Sequence, residues 1–169
     1  MLKLYKFADG SKSYWETWER DGVHTVHWGT LGTRGSSKEL RSTFFKKATD
    51  VIQKEIDQRA AEGFGPVKSD DHAMLLIELA VDAMGSSADL EKRHRLQKRM
   101  DETLGWTGLG HCDGGNIGSG TMEVCCLVVD FDIAKRVIEA DLRDTEFADD
   151  TRIIVKTTEF ASDQGERTR

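Results

Sequence analysis

Within the segment Trp28-Gly29-Thr30-Leu31-Gly32-Thr33-Arg34-Gly35 the chain sets an indole, a guanidinium and three glycines close together. Lys38 and Arg41 follow shortly after. An indole offers a flat apolar face on which a base or ribose can stack, worth about 1–3 kcal/mol per base. A guanidinium supplies forked donors for phosphate or carboxylate. Together Trp28, Arg34, Lys38 and Arg41 have the chemistry of a small nucleic-acid contact, with the cations on phosphates. Each also has a structural reading: Trp28 as a core tryptophan closing a strand, and the three cations as an ordinary solvated turn.

Other residues invite sharper chemistry and support it less. Gly108-Leu109-Gly110-His111-Cys112-Asp113-Gly114-Gly115 and Gly118-Ser119-Gly120 are glycine-dense. Glycine loops can cradle phosphate through backbone N–H groups. This one joins two strands and lacks Gly-Lys-Ser/Thr, so it reads as a hairpin. His111, Cys112 and Asp113 are adjacent on a strand, so their side chains diverge, and a base could not reach the thiol. His24 and His27 fall on opposite faces of one strand and read as polar surface residues rather than joint metal ligands. Cys112, Cys125 and Cys126 form no CxxC pattern and read as reduced thiols. Lys92-Arg93-His94-Arg95 with Lys98 and Arg99 is diluted by Glu91, Asp101 and Glu102, which suits a solvated helix face with i,i+4 pairs. No metal, cofactor or catalytic set is expected.

The elements that must position these residues follow from periodicity. Residues 2–7, 13–20 and 23–31 alternate apolar and polar as half-buried strands do. Asp21-Gly22 is a strong hairpin turn, and 38–41 can add a short fourth strand. Phe44, Phe45, Ala48, Val51, Ile52 and Ile56 recur at helical spacing, with Ser42 or Thr43 as cap and Gly63 as stop. Residues 67–72 read as a linker. The remainder reads β-α-β, β-α-β: strands over 74–80, 106–112, 121–129 and 151–158, helices over 89–104 and from the Asp130 cap to 143, and a long turn over 113–120. This is the ferredoxin-like order, whose central strands would be 74–80 and 121–129. One sheet face would remain apolar and uncovered by helices. It is expected to cover the N-terminal unit or to form a homodimer through residues 74–158.

Residues 1–66 resemble the WGR domain, the module named for its Trp-Gly-Arg signature. Lys12-Ser13-Tyr14-Trp15 resembles the start of its first characteristic strand. Trp28 through Gly35 resembles its WGRxGxxG turn. The helix carrying Phe44, Ala48, Ile52 and Ile56 and ending in Glu62-Gly63-Phe64 resembles its closing helix. The resemblance implies a module of the kind that in poly(ADP-ribose) polymerases helps recognise DNA ends or breaks, the tryptophan packing on the terminal nucleotide and the arginine bridging to DNA and neighbouring domains. It implies Trp28 as the stacking residue and Gly29 and Thr30 as the rest of the signature. Thr30 stands where the family has arginine, so the fork is missing there, and Arg34 is the available substitute. Residues 108–130 resemble small bacterial ferredoxin-like domains, which implies a fold and not an activity.

The charge balance bears on partners. The 169 residues hold 24 Lys+Arg and 30 Asp+Glu, a formal net charge of −6. Residues 1–67 carry 11 cations against 9 anions, and residues 68–169 carry 13 against 21. That balance argues against a whole-chain electrostatic grip on nucleic acid. Hydrophobic content of 38% suits a globular fold. No stretch approaches the roughly 18 apolar residues of a membrane span, and an N-terminus without an apolar run suggests a cytoplasmic protein. The expected architecture is α+β: a WGR-like antiparallel sheet with one packed helix over 1–66, then a βαββαβ sandwich over 73–160 and a polar tail over 161–169. The expected function is that of a non-catalytic binding protein engaging DNA or a nucleic-acid-associated partner. The alternative is a protein-interaction or immunity-type protein whose acidic second unit meets a basic partner.

Overall fold

Apolar–polar alternation in the N-terminal residues builds a four-stranded meander in the computed structural model, which describes residues 1–8, 10–148 and 151–155. Strands β1 (Leu2–Ala8), β2 (Ser11–Arg20), β3 (Val23–Thr30) and β4 (Ser36–Arg41) pair in chain order, all antiparallel. The two-residue turn Asp21-Gly22 has positive φ at both positions, 52° and 74°, the primed-turn geometry that matches strand twist. It fixes the register that sets Trp15 opposite Trp28, Glu16 opposite His27 and Tyr14 opposite Gly29. One sheet face buries Leu4, Trp15 and Val26 against Ile52 of helix α1 (Ala48–Ala61).

That helix starts later than its apolar spacing predicts. The Ser42 hydroxyl accepts the Ala48 N–H at 3.0 Å, so residues 42–47 are a loop and the helix begins after it. Phe44 and Phe45 are 97% and 94% exposed and touch each other edge to face. Their spacing from Ala48 imitates a helix face that the backbone never forms.

The second unit runs β5 (Ala73–Ala80), α2 (Ser87–Trp106), β6 (Gly110–Gly118), β7 (Thr121–Val128), α3 (Phe131–Leu142) and β8 (Thr151–Val155). A 3-10 turn at Ser69–Asp71 joins it to the first. The sheet order is β6-β7-β5-β8 with every neighbour antiparallel, the ferredoxin-like arrangement with β5 and β7 central. Ser86 and Asp89 form a reciprocal capping box at α2, and Asp130 caps α3. The expected strand over 106–112 and long turn over 113–120 are corrected: α2 reaches Trp106, and β6 extends to Gly118 with an irregularity between Cys112 and Gly115. An edge strand rich in glycine carries little apolar alternation, so its sequence resembles a loop. Residues 156–158 of the expected last strand and the tail 161–169 lie outside the described residues.

The two units share one core. Tyr5, Tyr14 and Leu31 of the first sheet join Leu104, Leu109, Val128 and Ile138 of the second unit in a single buried cluster. The contact is made at helix ends. The Gly32 N–H donates to the Thr107 carbonyl at 2.9 Å, and Lys12 pairs with Asp130 at the start of α3. A side chain at Gly32 would meet Ile133, and one at Gly108 would meet the Tyr14 ring. The first unit therefore does not cover the open face of the second sheet, as one expectation had it. That face carries Leu76, Leu127 and Ile154 beside the Glu78–Arg152 ion pair.

A Cβ on Gly108 would lie 2.3 Å from Tyr14 Cγ, so Gly108→Ala is expected to cost about 2–3 kcal/mol by overpacking. Urea unfolding monitored by tryptophan emission and by circular dichroism should show one coincident, shifted transition. Burial would raise the Asp130 carboxyl, but Lys12 and the Ile133 N–H outweigh it and hold it below the usual range. A depressed carboxyl stabilises above its unfolded value of about 3.9 and stops doing so as pH falls through the folded value. Lys12→Met should then lower the urea midpoint modestly near neutrality, by up to about 1 kcal/mol for a half-exposed pair. The difference should shrink as pH falls below the unfolded value and through the folded one.

Candidate nucleic-acid interface

The loop after β3 is organised from beneath by Tyr14. This β2 residue is 2% exposed, and its hydroxyl lies 3.0 Å from His27 Nε2 and donates to the Thr33 carbonyl at 3.0 Å. Burial, then the Glu16 carboxylate, push the Tyr14 phenol far above its ordinary value, so it keeps its proton and remains a donor. His27 Nε2 also meets the Arg34 carbonyl at 2.6 Å. Thr33 closes the loop on itself, its N–H and hydroxyl both reaching the Thr30 carbonyl, at 3.0 and 2.8 Å. With the Gly32–Thr107 bond, these contacts hold residues 30–35 on both sides.

The glycines of the motif follow from that packing. Gly35 has φ +61°, and a Cβ there would fall 2.2 Å from the Trp28 carbonyl and 2.5 Å from the Tyr14 hydroxyl. At Gly29 a Cβ would press on Gly35 Cα at 2.8 Å. Gly32, at φ +87°, lets α3 approach. Each therefore has an architectural reason to be glycine.

His27 is corrected from a surface residue to a buried one, 1% exposed. Its Nδ1 lies 2.8 Å from Glu16 Oε1, and Glu16 itself is 4% exposed. Nδ1 faces a carboxylate and Nε2 a carbonyl, so both ring nitrogens have a hydrogen-bond partner. Lys3 approaches the other Glu16 oxygen at 3.0 Å without a satisfying hydrogen bond. The Asp21-Gly22 turn contained the clue, because its register sets Glu16 across from His27. Trp106, whose ring lies 5.0 Å from His27, gives no such signal, since it arrives from the far end of α2.

The expected site residues divide. Trp28 is half-buried on the α1 side of the sheet, packed on the cluster of Leu4, Trp15, Val26 and Ile52. Lys38 Nζ sits 5.7 Å from its ring centroid and bonds Glu55 at 2.6 Å. So Trp28 and Lys38 come together, with the ammonium already engaged by a carboxylate. Arg41, of alternate parity to Lys38 in β4, lies on the opposite face. Arg34 is exposed at the loop, Thr30 is exposed, and Gly29 is half-buried.

Two cations of the basic stretch of α2 are paired. Arg95 holds Glu146 through two bonds of 2.9 Å, and Arg99 holds Asp141. Cys112 and Cys126 face each other across β6 and β7 with sulfurs 3.3 Å apart, the thiol of Cys126 pushed up by that neighbour and by burial. Exposed His111 and Asp113 alternate with Cys112 along β6 and do not converge with it. Among the described residues no three His, Cys, Asp or Glu side chains are grouped to hold a metal, and no helix is long and apolar enough to cross a membrane. Comparison with protein-family models, characterised proteins and solved structures finds no match.

His27→Ala would leave the Glu16 carboxylate buried without its ring partner. Breaking a buried pair this way typically costs about 3–5 kcal/mol. The expected outcome in urea unfolding is a loss near the lower figure, since Lys3 remains beside Glu16. A change under about 0.5 kcal/mol, the scale of an ordinary surface substitution, would contradict the network.

Proposed function

We propose that the chain is a non-catalytic binding protein whose first unit is a WGR-like module engaging DNA at ends or breaks. The observation that carries the reading is the fixed loop 30–35, which holds an exposed Arg34 just before β4, the strand that brings Lys38 over Trp28. Pre-organisation of this kind lowers the ordering cost of binding. The half-exposed indole offers an edge for a terminal base or ribose, and Arg34 takes a phosphate in place of the arginine that Thr30 replaces. Lys38 can turn from Glu55 to a second phosphate, and Arg41, on the other face, contributes to the field around the strand edge. The apolar open face of the second sheet, around Leu76 and Ile154, is where a second copy of the chain would sit.

The test is fluorescence anisotropy with blunt-ended and nicked duplexes at several salt concentrations. Few cations are involved, so log K should fall with log salt at a slope of no more than about −3, near −0.9 per phosphate. Arg34→Ala should weaken binding by roughly tenfold or more, the scale of one hydrogen bond to a charged group, and reduce the slope by about 0.9. If Arg34→Ala leaves both affinity and slope unchanged, the loop is not the contact. Absence of duplex binding at low salt, with recovery of a basic protein partner, would favour the protein-interaction reading.

A further inference from the structure

Two thiols of the second sheet stand closer than ordinary packing requires. Cys112 of β6 and Cys126 of β7 are register partners, and their Sγ atoms lie 3.3 Å apart, both reduced. Carbon atoms in best contact lie about 3.5–4.0 Å apart, and sulfur is the larger atom. Residues directly opposite in an antiparallel ladder have Cα atoms about 4.5–5.5 Å apart. That falls inside the window of about 4.4–6.8 Å that disulfides occupy. A bond of about 2.05 Å asks the sulfurs to close by roughly 1.3 Å. The backbone has room for this. Strand β6 is an edge, and its register breaks immediately after Cys112. A Cβ on Gly114 would meet nothing within 4 Å.

The two thiols differ in what can reach them. Cys126 is fully buried, and its thiol is pushed far up by the Cys112 sulfur and then by burial. The thiolate is the attacking form, so Cys126 cannot begin an exchange with a reagent in solvent. Cys112 is half-buried and lines an open groove between α2 and β6. Its thiol donates to the Gln97 carbonyl at 3.5 Å, and its N–H to Asp101 Oδ1 at 3.0 Å. Arg93, His94 and Lys98 line the same groove. Its carboxylate, Asp101, already accepts from the Cys112 backbone. The groove therefore favours an anionic reagent. Cys125, of opposite parity in β7, lies on the other sheet face.

We infer that Cys112 and Cys126 are a reversible dithiol–disulfide site, oxidised by exchange with a small carboxylate-bearing disulfide of the glutathione type. Cys112 first loses its proton to water, and its sulfur attacks one sulfur of the small disulfide. That S–S bond breaks, and one half leaves as a thiolate that takes a proton from water. Cys126 Sγ then attacks Cys112 Sγ in the mixed disulfide. The second half departs and takes up the Cys126 proton. Two electrons pass from the protein sulfurs to the small disulfide, which is released as two thiols. The contact between the sulfurs makes the second step intramolecular. Its product ties the edge strand to the buried one and removes the donor from the Gln97 carbonyl. Neither Trp28 nor Arg34 takes part, so this site stands or falls independently of DNA binding.

The full chain would be equilibrated without oxygen against mixtures of reduced and oxidised glutathione, then alkylated and read by intact mass and peptide mapping. The expected product has lost two alkylatable thiols and the mass of two hydrogens, with the Cys112 and Cys126 peptides linked. Dithiothreitol should restore both thiols. Cys126→Ser should stop at a glutathione adduct on Cys112, and Cys112→Ser should leave Cys126 unmodified. Cys125→Ser, on the other sheet face, should close as the unaltered chain does, which keeps the test decisive if a core variant fails to fold. Lys98→Glu should slow closure by oxidised glutathione several-fold and leave closure by uncharged hydroxyethyl disulfide unchanged. Equal slowing with both reagents, or with neither, would overturn the choice of an anionic one. An unaltered chain that keeps all its thiols in excess oxidised glutathione, or stops at an adduct on Cys112, would overturn the disulfide site.

Discussion

Tyr14 is the side chain on which the two halves of this molecule turn. Its ring lies against Gly108 of the second unit, and its hydroxyl organises His27 and the loop carbonyls of the first. A phenol buried this deeply must have its hydroxyl satisfied, and the loop after β3 supplies the acceptor. That requirement pulls residues 33–35 down over the sheet. The descent is possible only if Gly29 and Gly35 carry no side chain. The same loop then offers the Gly32 N–H to Thr107. One hydrogen-bonded aromatic thus couples loop geometry, domain contact and the buried Glu16–His27 pair.

This coupling alters what the glycine-rich signature means. Its glycines are explained by packing around Tyr14 and by the approach of α3, with no ligand required. What remains for recognition is what the loop leaves outward: Arg34, the exposed side of Trp28 and the Lys38 ammonium. Lys38 is bound to Glu55, and Arg95 and Arg99 of α2 are bound to Glu146 and Asp141. Little free positive charge remains beside Trp28, which fits an interaction of few phosphate contacts better than one that wraps DNA.

Much of the fold was legible in the sequence because its signals are local. Alternation marked β1 to β3, Asp130 marked the start of α3, and the two wholly apolar runs marked the central strands of the second sheet. The failures have physical causes of the opposite kind. Phe44 and Phe45 sit at helical spacing from Ala48, but a Ser42 hydroxyl delays the helix and leaves both rings outside. Strand β6 lacks alternation because it is a glycine-rich edge. His27 looked like a surface residue because its value depends on a carboxylate one strand away, although the Asp21-Gly22 turn already fixed that pairing. Trp106 could not be placed at all from sequence, since only the docking of the two units brings it to His27 and Trp18.

The central claim is that the motif loop is a structural joint that makes the two units one cooperative body. Amide hydrogen exchange at Gly32 tests it most directly, because that N–H bonds across the joint to Thr107. The account predicts that it exchanges only with global unfolding, at the protection of the central amides of β2 and β7. Exchange of Gly32 at a rate near that of an open loop, with β2 and β7 still protected, would contradict it.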